Sequence, residues 1–266
     1  MIKYLVTSGC SFSDNKDYRW PHFLAHKAKL KLFNRAHGSA GNDWISKTII
    51  HQTQELLDAG IDPSEIIVGI MWSGIDRKSI FLSQKENLMY ANLINFISDH
   101  PNPVNFLDGK PNVYETHNTV DGYLVGSMGC KFSNTKINEF KGEVISKFFC
   151  NEALAIESYE NFLRIQWFCE SKGIKYFMQT YMDIMHYPYY NPNTITTQYY
   201  YRNVMPLYKM IDFSKWIFWD ETSGLYEYAR DNDLGFYLDK LHPDVKAQEY
   251  YVDNHLLPKL QEKGIL

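Results

Sequence analysis

Short apolar runs alternate with stretches of helical period along this chain, the arrangement expected of strands and helices laid in turn around a parallel sheet. The third run, IIVGIMW from Ile66 to Trp72, is apolar throughout, as a strand covered on both faces requires. Lys3 to Thr7 opens the chain as a first strand, and LKLFNRA, residues 30–36, forms a second. Between them WPHFLAHKAKL reads as a helix, with Pro21 early in it, where a missing N–H costs little. NDWISKTIIHQTQELLDAG reads as the next helix: Asn42 or Asp43 caps it, Ile45, Ile49 and Leu56 share a face, and Gly60 stops it. A long helix from Glu152 to Lys172 leads into a fourth strand, KYFMQTY, and KWIFW supplies a fifth. The last helix runs from about Pro243 to Gln261, with Val245, Val252 and Leu256 on one side.

The rhythm breaks after Trp72. ENLMYANLINFISDH has a helical period, but from Pro101 to Phe149 proline, glycine and asparagine punctuate short runs of mixed polarity. A structureless loop of that length is unusual in a compact domain, so residues 100–150 are read as an insertion after the third strand with small elements of its own. A second irregular stretch, residues 181–201, is rich in aromatics. Neither repeat nor linker divides the chain, and residues 1–266 are read as one domain: a three-layer α/β/α sandwich on a flavodoxin-like parallel sheet.

Composition narrows the partners. The 27 basic and 31 acidic residues give a net charge of -4, without the basic run that would track a nucleic-acid backbone. No stretch reaches the ~18 apolar residues of a membrane span, and MIKYLV lacks the apolar core of a signal peptide. Cys10, Cys130, Cys150 and Cys169 show neither paired nor dense spacing and read as free thiols in a reducing compartment. A cytoplasmic protein that binds neither nucleic acid nor membrane is expected. The aromatic content, 16% with 20 tyrosines, suits a surface that grips a flat group such as a sugar ring. Tyr187, Tyr189, Tyr190 and Tyr199 to Tyr201 are read either as a sugar-stacking wall or as a segment that buries itself or joins subunits.

Candidate chemistry begins in TSGCSFSDN, directly behind the first strand, where the carboxyl ends of parallel strands open a crevice. Serine hydrolysis needs a hydroxyl, a base to take its proton, an acid to orient the base and donors for the oxyanion. Ser11 is the candidate nucleophile. Cys10 competes with it, since a thiolate attacks well, although cysteine is more often a small buried residue. Asp14 in the same stretch lacks a histidine nearby in sequence. In LDKLHPD, Asp239 precedes His242 by three residues, so that one turn brings carboxylate to imidazole. His22 and His26, four apart without a carboxylate partner, do not make a metal site; no metal or organic cofactor is called for.

These blocks resemble the SGNH hydrolases, or GDSL family, over nearly the whole chain outside the insertion. Gly9-Cys10-Ser11 matches the family's Gly-Asp-Ser block, Gly38 to Asn42 its glycine block, Gly74 to Arg77 its Gly-x-Asn-Asp block, and Asp239 to His242 its Asp-x-x-His block. The resemblance implies an esterase with Ser11, His242 and Asp239 as its triad and an oxyanion hole drawn from Ser11, Gly38, Gly41 and Asn42, with the Ser39 N–H a further donor. An O-acetyl group on a carbohydrate is the substrate it suggests. Three positions depart from the family. Cys10 stands where the family has a structural Asp, the glycine of the second block is either Gly38 or Gly41, and Asp76 replaces the Asn whose amide donates to the oxyanion. An ionised carboxylate only accepts hydrogen bonds, so Asp76 is read as a supporting residue that holds Arg77 or Ser73, with Asn42 and Arg77 as substitute donors. Asp76 also supports a second reading, a binding or assembly module that kept the fold and lost efficient turnover.

Overall fold

In the computed structural model, which describes residues 1–14, 18–38, 40–75, 77–82, 122–127, 151–185 and 206–266, the uniformly apolar run Ile66–Trp72 forms β3, buried at all of its positions. It lies at the centre of a five-stranded parallel sheet. β1 (Tyr4–Ser8) pairs with β2 (Lys31–Asn34) on one side and β3 on the other, β3 pairs with β6 (Lys175–Thr180), and β6 with β7 (Trp216–Ile217). The order β2-β1-β3-β6-β7 is that of a flavodoxin-like sheet. Two further strands, β4 (Arg77–Leu82) and β5 (Gly122–Ser127), make a separate antiparallel pair. β5 falls within the expected insertion; β4, beginning on the charged pair Arg77 and Lys78, was not anticipated by the apolar pattern.

Helices cover both faces of the sheet, and the strand register shows which. Ile70, Met178 and Trp216 lie opposite one another and therefore share a face, as does Trp72 two residues on from Ile70. On that side Phe162 of α3 (Asn151–Lys172) meets Trp72 at 4.6 Å and Trp216 at 5.3 Å between ring centroids. The intervening residues point the other way. There Phe177 meets Trp20 of α1 (Trp20–Ala28) at 5.9 Å, and Gln179 accepts from the hydroxyl of Tyr251 on the final helical run. Gly69 sits beside Phe177 because a Cβ there would lie 2.5 Å from its ring.

α2 (Asn42–Asp58) buries Ile45, Ile49 and Leu56, as its spacing implies, and Gly60 follows it at φ +83. The first-turn assignment changes: the capping residue is Gly41, and Asn42 and Asp43 are the first two residues of the helix. The fifth strand is also shorter than KWIFW, because Phe218 stacks back on Trp216 at 5.3 Å and the Trp219 N–H donates to Ser223 O in a turn. A short helix absent from the sequence reading, α4 (Leu225–Asp231), comes next. The terminal helix consists of α5 (Val245–Tyr251) and α6 (Leu257–Glu262) joined by a π-helical stretch, Val252–Leu256. Pro258 accounts for the widened turn: it brings no N–H to the ladder and crowds the turn before it. The expected helix at residues 86–100 lies outside the described residues.

Candidate active site

The loop after β1 is a tight turn in which the Ser13 N–H donates to Cys10 O at 2.8 Å. Two neighbours fix it. Trp20 Nε1 donates to Ser13 Oγ at 2.7 Å, and Asn34, at the end of β2, donates its amide to Ser13 O at 2.6 Å. Gly9 is required beneath this turn, since a Cβ would sit 2.5 Å from Ser13 Oγ and 3.0 Å from Met71 O. Cys10 and Phe12 are fully buried while Ser11 between them is half-buried. The turn thus presents the serine and withholds the cysteine, whose thiol lies in the core.

His242 arrives from the far end of the chain, 231 residues on, and its Nε2 lies 2.7 Å from Ser11 Oγ. The loop that carries it is closed by a bridge between Phe236 and Pro243, with Tyr237 N donating to His242 O and Lys240 N to Tyr237 O, both at 2.9 Å. Lys240 takes the left-handed conformation, φ 55, to make the turn. Asp239 works at both ends of the loop. Its Oδ1 accepts from the backbone N–H of Leu241 at 2.9 Å and of His242 at 3.0 Å, while Oδ2 lies 2.5 Å from His242 Nδ1.

Desolvation pulls the Asp239 pKa up, but the backbone N–H groups of His242 and Leu241 and the imidazole outweigh it and hold the carboxyl at about 2. An ionised carboxylate only accepts, so the imidazole carries its proton on Nδ1 and turns the Nε2 lone pair to the serine. Because the folded value is depressed from 3.8, the stabilisation from ionised Asp239 is complete above the ordinary carboxylate range and is lost as pH falls toward 2. An NMR titration of the Asp239 side-chain carboxyl is expected to give a midpoint near that value; an unshifted midpoint would mean that the loop does not hold in solution.

The expected oxyanion donors fare differently. Neither the Ser11 nor the Gly38 N–H donates to another described residue, which leaves both available to a ligand oxygen. Gly41 has a packing reason: a Cβ there would meet Asp43 Oδ1 at 2.7 Å and Arg77 O at 2.9 Å. Asn42 is committed elsewhere. Its amide N–H groups go to Ser73 O at 3.1 Å and Ser158 Oγ at 3.0 Å, and its Oδ1 accepts from Ser73 N at 2.9 Å. Asn42 therefore joins α2, the end of β3 and α3 instead of donating to an oxyanion. With the group 2% exposed, Asn42→Ala strands Ser73 and Ser158 without partners and is expected to cost about 3 kcal/mol, read as a lowered urea midpoint at unchanged slope.

Ser39 and Asp76 lie outside the described residues, as do Tyr187, Tyr189, Tyr190, Tyr199 to Tyr201, Cys130 and Cys150. Arg77 holds its guanidinium 5.2 Å over the ring of Tyr181, and Lys78 beside it pairs with Asp43 and Glu157. His22 is half-buried and helps to cap α1, its Nδ1 accepting from Arg19 N, and burial lowers its pKa; His26 is exposed. Sequence reasoning did not anticipate Ser13 and Asn34, whose role depends on contacts between separate segments, nor Phe12 beside His242 and Tyr181 beside Phe12. The only hint was an aromatic residue directly after Ser11. Among the described residues no group of three or more His, Cys, Asp or Glu is gathered to hold a metal ion, and no helix is long and apolar enough to cross a membrane.

Compared with known proteins, the chain matches no family model and no curated sequence.

Proposed function

We propose that the chain is a serine ester hydrolase of the SGNH type. The observation that carries this reading is the continuous relay from Ser11 Oγ through the His242 ring to Asp239, with contacts of 2.7 and 2.5 Å. Ser11 Oγ attacks the ester carbonyl carbon while Nε2 of His242 takes its proton; the backbone N–H groups of Ser11 and Gly38 receive the oxyanion. Collapse expels the alcohol, which takes the proton from His242, and leaves an acyl group on Ser11. His242 then draws a proton from water, hydroxide attacks the acyl carbon, and the carboxylic acid leaves as the serine is restored.

The substrate proposed is an O-acetyl group on a carbohydrate. Its support is the resemblance at the four blocks together with the tyrosine content of the chain. Acetate release from O-acetylated oligosaccharides should exceed release from short-chain aliphatic acetates, and both should vanish in Ser11→Ala. Equal rates on both kinds of ester would remove the carbohydrate assignment while leaving the hydrolase.

Asp76, in place of the family's Asn, favours a second reading: a binding or assembly module on the same fold. On that reading the wild type shows no Ser11-dependent turnover and Asp76→Asn gains it.

A further inference from the structure

Ser11 and His242 belong to loops that come together only in the folded chain, and the base loop is exposed at its rim: Leu238 is fully exposed and Asp239 has half of its side-chain surface open. Asp239 fixes one nitrogen of the imidazole and Ser11 meets the other, but neither contact stops the ring plane from rocking about the line between them. A third contact is needed, and Phe12 supplies it. Its ring centroid lies 4.7 Å from that of His242 at an interplanar angle of 41°.

Phe12 is itself braced. Tyr181 meets it edge-on at 5.0 Å, and Tyr181 is pinned where β3 and β6 end, its N–H donating to Trp72 O at 3.4 Å and its carbonyl accepting from Tyr226 N at 2.8 Å. The rings of Tyr181, Phe12 and His242 therefore form a column running from the carboxyl edge of the sheet to the base. Phe12 is also the residue directly after the nucleophile, so any shift of the Ser11 turn moves the ring against which the imidazole rests.

We infer that Phe12, braced by Tyr181, is a positioning residue for His242, holding the imidazole plane in line between Asp239 and Ser11; this rests on the hydrolase reading above. A misplacement of the order of 1 Å at a reacting group costs roughly 100-fold in rate, so loss of the ring should be felt in the chemical step and little in substrate binding.

The test compares wild type, Phe12→Leu and Tyr181→Leu by the rate of fluorophosphonate labelling, by kcat and KM on p-nitrophenyl acetate, and by the downfield NMR signal of the His242 Nδ1 proton, each at a temperature where circular dichroism shows the variant folded. Phe12→Leu is expected to label at least tenfold more slowly, with kcat reduced, KM within about twofold of wild type and the downfield signal broadened or lost. Tyr181→Leu should move the same readouts in the same direction by less, and it serves alone if Phe12→Leu does not fold. A folded Phe12→Leu, or in its place Tyr181→Leu, with wild-type labelling and an intact downfield signal overturns the positioning role and leaves the hydrolase standing. Failure of the wild type to label at Ser11 overturns the hydrolase reading and this inference together.

Discussion

Replacing Ser11 by alanine is expected to lower kcat on p-nitrophenyl acetate by roughly 10⁴- to 10⁶-fold, the range seen when a triad nucleophile is removed. Among the described residues the Ser11 hydroxyl hydrogen-bonds to His242 Nε2, and the turn is held by groups other than that hydroxyl: Ser13 N to Cys10 O, Trp20 to Ser13, and Asn34 to Ser13. Alanine should therefore leave the fold nearly unchanged, within about 1 kcal/mol. Binding of an unreactive ester analogue should survive, because the contacts that hold it differ from the bond that attacks. A variant that lost both folding and turnover would say nothing special about Ser11, which is why the thermal midpoint belongs in the same experiment. Cys10→Ala is the companion: with its thiol in the core, it should alter stability and leave Ser11-dependent labelling in place.

Asp239→Asn should cost roughly 10⁴-fold in kcat through a different route. The asparagine Oδ1 can still accept from the backbone N–H groups of Leu241 and His242, as Asp239 Oδ1 does at 2.9 and 3.0 Å, so the loop survives. What changes is the atom facing the ring. An amide N–H₂ donates toward His242 Nδ1, forces the proton onto Nε2, and leaves no lone pair for the serine proton. ¹⁵N spectra of the His242 ring should show the tautomer reversed in this variant. Asp239→Ala removes the loop's acceptors as well and should lower both the rate and the stability. A pH profile separates the acid's role from the base's: with its carboxyl held at about 2, Asp239 stays ionised over the working range, and no loss of activity above pH ~4 is due to its protonation.

The parallel sheet was readable because each buried strand carries its signal locally. Ile66–Trp72 is apolar at every position, and the helix after β2 spaces Ile45, Ile49 and Leu56 by helical turns, so neither needs knowledge of a partner. Asp239 and His242 were readable for the same reason, since three residues of separation and one turn suffice to bring acid to base. Ser11, whose hydroxyl meets His242 Nε2 at 2.7 Å, stood out by its place behind a strand. Asn42 was misassigned because its partners, Ser73 and Ser158, are remote in sequence, and nothing local distinguishes a clamp from an oxyanion donor. α4 escaped because it is seven residues long and is capped by Gly224, a residue demanded by backbone contact: a Cβ there would lie 2.2 Å from Thr180 O. Ser13, Asn34, Phe12 and Tyr181 share that obstacle. Each acts by what folding brings beside it.

All of the chemistry proposed depends on Ser11 being an activated nucleophile, and labelling with a fluorophosphonate probe followed by mapping of the modified residue tests that most directly. Covalent modification is expected at Ser11 of the wild type, with its loss in His242→Ala and no modification at Cys10. Absence of label from folded wild-type protein, or label that maps to Cys10 and persists in Ser11→Ala, would contradict it.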